Sequence, residues 1–137
     1  PGIYSTGYYL YETLLDLRPD IRVVCIPGIS AMSGCSANIA APLCLGDDRL
    51  AVVPATFGAV KLRQIFEEFD AVVLMKVHKV FGEVLAVLEE TGLLHRAVYV
   101  EKAGMAEQRI VRDLTKPPRN PHYFSTIIVR KRGVGLD

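Results

Sequence analysis

Three turns in the sequence, each placed directly after a short apolar run, have the residue types of ligand-binding loops. Pro27-Gly28-Ile29-Ser30 follows the run IRVVCI, Pro54-Ala55-Thr56 follows LAVV, and Glu101-Lys102-Ala103-Gly104 follows AVYV. Glycine and small side chains let a ligand approach the backbone, and a serine that begins a helix leaves amides free to bind an anion. Each turn alone is equally typical of an ordinary capped helix or β-turn.

Motifs for nucleotide binding, nucleophilic hydrolysis and metal-dependent proteolysis are absent from the sequence. It contains no P-loop, GxGxxG, GxSxG or HExxH pattern. The carboxylates of 47–48 and 67–70 lack a partner acid or base, which is more typical of a loop and a solvated helix face than of a catalytic pair. The three histidines share no spacing that predicts a metal site. The sequence therefore assigns no catalytic residue and no metal ligand.

Composition favours one α/β domain without a nucleic-acid or membrane partner. The chain has 137 residues, of which 50% are apolar, and a net charge of +1 with acids and bases interspersed. No apolar run reaches the ~18 residues that a membrane helix needs. The three cysteines are widely spaced and form no CxxC pattern, which indicates reduced thiols. We therefore expect a cytoplasmic protein that binds neither nucleic acid nor membrane.

The periodicity of apolar residues along the chain places the three turns relative to predicted helices and strands. Helices are predicted over about 8–17, 30–41, 59–69 and 80–91, and strands over about 21–26, 50–53, 71–75, 97–101, 109–113 and 123–131. Ser5 or Thr6 is expected to cap the first helix, and Ser30 the second. Repeated βα units predict an α/β fold, with a mainly parallel sheet of about five strands, flanking helices and a C-terminal antiparallel ribbon. Ligands bind beyond the carboxyl ends of strands in such sheets, which is where all three turns lie.

The motifs, taken in order, resemble the tetrapyrrole (corrin and porphyrin) methylases over nearly the whole chain. The matching phrases are PGIYS at 1–5, VVCIPGISAMSGCSANIAAPL, the strand that ends in Leu74-Met75, the turn VEKAGM, and the closing strand STIIV. PGIS followed by a helix of small residues and Ala-Pro-Leu is the most specific of them. Within the family, LGDDRLAVVPAT and VVLMKV most resemble the precorrin-2 (or cobalt-factor-II) C-20 methyltransferases of cobalamin biosynthesis.

The resemblance implies a two-lobed, homodimeric enzyme that binds S-adenosylmethionine (SAM) between its lobes and a tetrapyrrole in an adjoining trough. Residues 1–137 would be the C-terminal α/β lobe, without the N-terminal lobe that carries a glycine-rich loop and the Gly-Asp before Pro1. The tetrapyrrole would be precorrin-2 or cobalt-factor II, and the sequence leaves its cobalt status open. No metal cofactor is implied.

The resemblance also implies seven positions that contact SAM. Ile3 would lie against SAM, Ser30 and Ala31 would meet its methionine end, Met75 and Ala103 would flank the ligand, and Ser125 and Thr126 would border the adenine. Methyl transfer from a sulfonium mainly requires in-line positioning and exclusion of water. This requirement agrees with the lack of an acid–base pair in the sequence.

Two other interpretations stay open at this point. One is another member of the superfamily, such as a different precorrin, uroporphyrinogen-III, ribosomal RNA or diphthine methyltransferase. An RNA-acting enzyme should have a basic, aromatic-rich surface, whereas this chain has a charge of +1 and no tryptophan. The other is a non-catalytic dimerisation or binding module.

Overall fold

The described residues, 2–133 of a computed structural model, form helices that alternate with the strands of one sheet. The helices are α1 Thr6–Leu17, α2 Ala31–Asn38, α3 Ala59–Glu68 and α4 Phe81–Glu90. The strands are β1 Leu50–Pro54, β2 Ala71–Met75, β3 Ala97–Glu101, β4 Arg109–Val111 and β5 Ser125–Arg130. Pro1, the first residue of the PGIYS motif, lies outside the described residues.

The sheet has the order β1-β2-β5-β3-β4. The α/β class and the five strands are confirmed, but the prediction of a mainly parallel sheet is wrong. Only β1 and β2 pair in parallel, because β5 lies between β2 and β3 and is antiparallel to both. The predicted C-terminal ribbon is also wrong, since β4 pairs with β3 and not with β5. Strands β1, β2 and β3 nevertheless run in the same direction, so their carboxyl ends share one edge of the sheet.

Strand β5 occupies the central position of the sheet. All six residues of Ser125–Arg130 are buried, as expected for a strand covered on both faces. Its Ile128 pairs with Val73 of β2 on one side and with Val98 of β3 on the other. Strand β4, by contrast, has no fully buried residue and forms an edge.

Two hydrophobic clusters cover the two faces of the sheet. Helices α3 and α4 pack on one face, where Leu62 and Leu88 join Leu74, Tyr99 and Ile127 in one cluster. On the other face, α2 and the residues after it pack against a second cluster; its fully buried members are Cys35, Ile39, Ala41, Val73, Val98, Val100 and Ile128. The second face has the lighter cover, because Cys35 is the one buried residue of the short helix α2.

The predicted caps of the first two helices are confirmed. The hydroxyl of Ser5 accepts from the amide of Gly7 at 3.2 Å, and that of Ser30 accepts from the amide of Ser33 at 3.4 Å. Helix α1 ends at Leu17, because Pro19 disfavours helical backbone at the residue before it, Arg18. Helix α2 ends at Asn38, earlier than predicted.

The strand predicted over 21–26 is wrong. This segment is irregular in the structure, and its Val24 and Ile26 are 67% and 86% exposed. A buried strand needs a neighbour for its backbone hydrogen bonds, and none of the described strands lies beside it. Helix α1, which precedes it, has no buried residue either. The segment up to about residue 29 is therefore apolar in sequence but uncovered among the described residues.

We expect Leu88→Ala to lower the free energy of unfolding by about 2–5 kcal/mol, because it opens a cavity between α4 and the sheet. Val60→Ala on α3 removes an exposed side chain and serves as the control. Its effect should stay within about 0.5 kcal/mol. Urea denaturation measures both. Equal losses for the two variants would contradict this assignment of the core.

Candidate functional site at the carboxyl edge of the sheet

The carboxyl ends of β2 and β3 flank the start of β5. Leu74 pairs with Ile127 and Glu101 pairs with Ser125, so the residues after β2 and β3 lie on either side of the segment that leads into β5. The sequence prediction that the strand ends gather at one edge is therefore confirmed for these two strands. Strand β1 ends beside them, since Pro54 pairs with Met75.

Three of the predicted SAM-contacting residues lie together on the α2 side of this edge. Met75 and Ala103 are partly buried against the cluster that contains Cys35. The hydroxyl of Thr126 donates to Sδ of Met75 at 3.7 Å. Burial raises the pKa of the Cys35 thiol, an effect that a hydrogen bond with Thr126 partly offsets. The thiol is therefore a neutral, packed group that holds α2 against the strand ends.

The side chains of Ser125 and Thr126, both predicted to border the adenine, lie on opposite faces of the sheet, because successive strand residues point to opposite faces. Ile127 belongs to the cluster under α3 and α4, whereas Ile128 belongs to the one under α2. Ser125 therefore points away from Thr126. Its hydroxyl donates to the carbonyl of His122 at 2.5 Å, so the side chain fastens the segment before β5. The structure does not bring Ser125 together with Met75 and Ala103.

Ser30 and Ala31 begin α2. The hydroxyl of Ser30 lies 3.2 Å from that of Ser33, and its carbonyl accepts from the amide of Gly34 at 2.9 Å. The first amides of a helix have no partner inside it, and they favour an anion there. Met32, one residue further, packs against the cluster that includes Met75 and Ala103. This packing places the start of α2 on the same side of the sheet as those two residues.

Ile3 lies in the loop before α1, next to an open groove of about 470 Å³. The groove is lined by the start of α1 and by residues 25–28, which lead to Ser30. Tyr4 connects this loop to the sheet edge. Its hydroxyl donates to the carbonyl of Val52 at 3.3 Å, and its ring lies 5.1 Å from Nζ of Lys76.

A hydrogen-bonded cluster around Glu101 fixes the other side of the edge. The Glu101 carboxylate accepts from the hydroxyl of Tyr99, from Arg109 at 2.8 Å and from the backbone amide of His122 at 3.0 Å. Burial is the largest influence on its pKa and acts to raise it, but the three donors together outweigh burial and lower the pKa. Burial and the bond to Glu101 raise the pKa of Tyr99, which therefore remains a donor. The carboxylate joins β3, β4 and the segment before β5.

Sequence reasoning named the turn at Glu101 but missed this cluster. Tyr99 and Glu101 are two residues apart on a strand, so they share a face, and that spacing was an available signal. Arg109 could not be found in this way, because its contact depends on the pairing of β4 with β3. Tyr4 was missed because its contacts, with Val52 and Lys76, join residues far apart in sequence. The described residues contain no group of three or more potential metal ligands. None of the described helices is long and apolar enough to cross a membrane.

Residues 1–117 match the model of the family described as Tetrapyrrole (Corrin/Porphyrin) Methylases. The chain belongs to this family. Among its relatives, precorrin-2 C(20)-methyltransferase of Sinorhizobium sp is 34% identical over 129 residues, which are 94% of this chain and 51% of that protein. Cobalt-precorrin-2 C(20)-methyltransferase of Salmonella typhimurium is 31% identical over 109 residues, or 78% of this chain and 46% of the relative. The chain thus spans about half the length of these relatives.

Solved structures of tetrapyrrole methylases share the fold. The methyltransferase CobJ has a TM-score of 0.68 at 23% identity, over 95% of this chain and 60% of that one. Uroporphyrin-III C-methyl transferase from Thermus thermophilus, complexed with S-adenyl homocysteine, has a TM-score of 0.65 at 18% identity. That comparison covers 96% of this chain and 62% of the other. The α/β architecture is thus that of known methyltransferases.

We expect Glu101→Gln to lower the free energy of unfolding at neutral pH by about 1–3 kcal/mol, because it weakens the acceptor of three hydrogen bonds. The folded-state pKa of Glu101 is lowered, so its stabilisation is complete above the ordinary value of 4.5 and is lost as the pH falls through the folded value. The difference between wild type and variant should therefore shrink on the acid side of pH 4.5.

Denaturant titrations between pH 3 and pH 7 test this expectation, with Glu68→Gln as the control. Glu68 is an exposed carboxylate at the end of α3. Its replacement should change stability by less than about 0.5 kcal/mol at any pH. A difference between Glu101→Gln and wild type that stays constant with pH would show that the ionised carboxylate is not the stabilising group.

Proposed function

We propose that this chain is the C-terminal half of a SAM-dependent methyltransferase that methylates C-20 of precorrin-2 or of its cobalt complex. The observation that carries the proposal is the 34% identity, over 94% of the chain, with a protein named precorrin-2 C(20)-methyltransferase. A second relative, 31% identical, is named for the cobalt form of the same substrate. Because the chain spans about half of each relative, the activity belongs to the longer protein.

The residues at the carboxyl edge fit a SAM molecule in two respects. Ala103 is small and partly buried, and the next residue is Gly104. A Cβ atom placed on Gly104 would meet no other atom within 4 Å. This leaves room for a flat group beside Met75. The start of α2 offers the amides of Ala31 and Met32, which have no partner within the helix and suit the carboxylate at the methionine end. Ile3 and Thr126 complete the proposed contacts. The buried Ser125 would act through the chain segment it fastens.

The proposed role of these residues is positioning. SAM supplies an activated methyl group on a sulfonium, so the protein has no leaving group to protonate. The amides and small residues hold a ligand in a fixed orientation, and the apolar side chains around Met75 and Cys35 exclude water. In-line alignment of the methyl group with a substrate carbon would then supply most of the rate enhancement.

Exposed apolar side chains support the proposal that the first half of the enzyme covers the N-terminal part of this chain. The exposed large residues of this part, up to about residue 29, are Tyr4, Tyr8, Tyr9, Leu10, Leu14, Leu17, Val24, Ile26 and Ile29. An exposed patch of this kind marks an interaction surface. The predicted strand over 21–26 would then find its hydrogen-bonding neighbour in that first half.

We also propose that the full-length enzyme is a cytoplasmic homodimer. The described fold leaves further apolar residues exposed outside the N-terminal part, including Leu45 and Phe57. A dimer interface could bury such residues. The three cysteines are free thiols, as expected for a reducing compartment. Sedimentation of the full-length protein at micromolar concentration tests the assembly, and a monomer would refute it.

We expect Ala103→Leu in the full-length enzyme to weaken SAM binding about five- to 150-fold, because the larger side chain enters the ligand's space. The control is Ala97→Leu, at the opposite end of β3, where the alanine is fully buried in the core. That variant should lower the melting temperature and leave the SAM dissociation constant of the folded protein unchanged. Calorimetric titration and thermal melts measure both quantities. A lowered melting temperature with normal SAM affinity in Ala103→Leu would remove Ala103 from the site.

A further inference from the structure

A patch of four aromatic rings, two of them exposed, lies at the carboxyl edge of the sheet, directly before β5. We define the aromatic patch as His78, Tyr123, Phe124 and His122. In this order, the ring centroids of neighbouring members lie 5.0, 5.2 and 5.4 Å apart. Tyr123 and Phe124 are 67% and 59% exposed. They precede β5 directly, so the patch sits between the ends of β2 and β3. Exposed neighbouring rings of this kind form a surface for a flat apolar ligand.

Two lysines flank the aromatic patch. Lys76 follows β2 and Lys102 follows β3, and both strands pair with β5 on opposite sides. Two strand spacings separate their backbones, a distance of about 10 Å. The amide of Lys102 donates to the carbonyl of Phe124 at 2.8 Å, which fixes that lysine against the patch. Nζ of Lys76 lies over the ring of Tyr4.

Both lysines have left-handed backbone, with φ of +58° at Lys76 and +49° at Lys102, and so do Tyr4 and Ala40 among the described residues. This region disfavours residues with a Cβ atom, and glycine adopts it freely. Non-glycine residues held there cluster at ligand-binding and active sites. Lys76 and Lys102 are the two of these residues that lie directly after strands β2 and β3, at equivalent positions on one edge of the sheet.

We propose that the aromatic patch binds the face of the tetrapyrrole macrocycle and that Lys76 and Lys102 bind carboxylates on its rim. This inference rests on the proposed function. A tetrapyrrole of this class combines a broad, largely apolar ring system with carboxylate side chains on its rim, so aromatic rings with a lysine at each flanking strand end match both its apolar face and its charge. Lysine suits this task as a compact charge on a flexible chain that can reach carboxylates of differing position.

The test uses Lys76→Gly and Lys102→Gly in the full-length enzyme. Glycine removes the ammonium group and relieves the left-handed backbone, so the melting temperature should stay the same or rise. The KM for precorrin-2 should rise about tenfold in each variant, as expected for the loss of one charge-assisted hydrogen bond. The SAM dissociation constant should not change. Lys61→Met, at an exposed lysine on α3, is the control and should leave the KM unchanged.

The outcomes separate this inference from the proposed function. A wild-type enzyme that binds no SAM, or that methylates neither precorrin-2 nor its cobalt complex, refutes the proposed function and this inference with it. An active wild type whose KM for precorrin-2 is unchanged in both glycine variants refutes the inference alone. A raised KM that is accompanied by a lowered melting temperature would also overturn it, since the lysines would then be structural.

Discussion

The pairing of β5 with both β2 and β3 is the constraint on which the rest of the structure depends. Without it, the β1-β2 pair and the β3-β4 pair would share no backbone hydrogen bonds. Both hydrophobic clusters need it as well, because Ile127 contributes to one and Ile128 to the other. The start of the same strand separates the ends of β2 and β3, which determines the spacing between Met75 and Ala103 and between the two left-handed lysines. One strand therefore determines both the core and the geometry of the edge.

Much of the local structure could be predicted from the sequence. Strands β2 and β3 occupy the predicted residues, since short apolar runs between turns have few alternatives, and Ser5 and Ser30 cap the helices as predicted. Pairing could not be predicted in the same way, because it joins residues far apart in sequence, such as Leu74 and Ile127. The antiparallel insertion of β5 was missed for this reason. The apolar run Ile127-Ile128-Val129 was the available sign of a buried strand.

The same distinction applies to the site. Met75, Ala103 and Thr126 were predicted through a resemblance, and the structure gathers them at one edge. The Glu101 cluster depends on tertiary contacts from Arg109 and His122, which no local pattern contains. The segment over 21–26 shows the opposite failure. Its composition is that of a buried strand, but composition does not say which part of a protein supplies the partner.

The late position of β5 in the chain has a consequence for the order of folding. Residues 50–75 can form the β1-β2 pair and residues 97–111 the β3-β4 pair through comparatively local contacts, while β5 begins only at residue 125. During synthesis, the β1-β2 and β3-β4 pairs cannot join until β5 has left the ribosome. Until then, β2 and β3 each have one edge without hydrogen-bonding partners. Loop closure over such separations slows folding and prolongs the exposure of those edges. A nascent chain that stalls before residue 125 would therefore expose two unpaired strand edges, which are prone to bind chaperones or to aggregate with other chains on the same polysome.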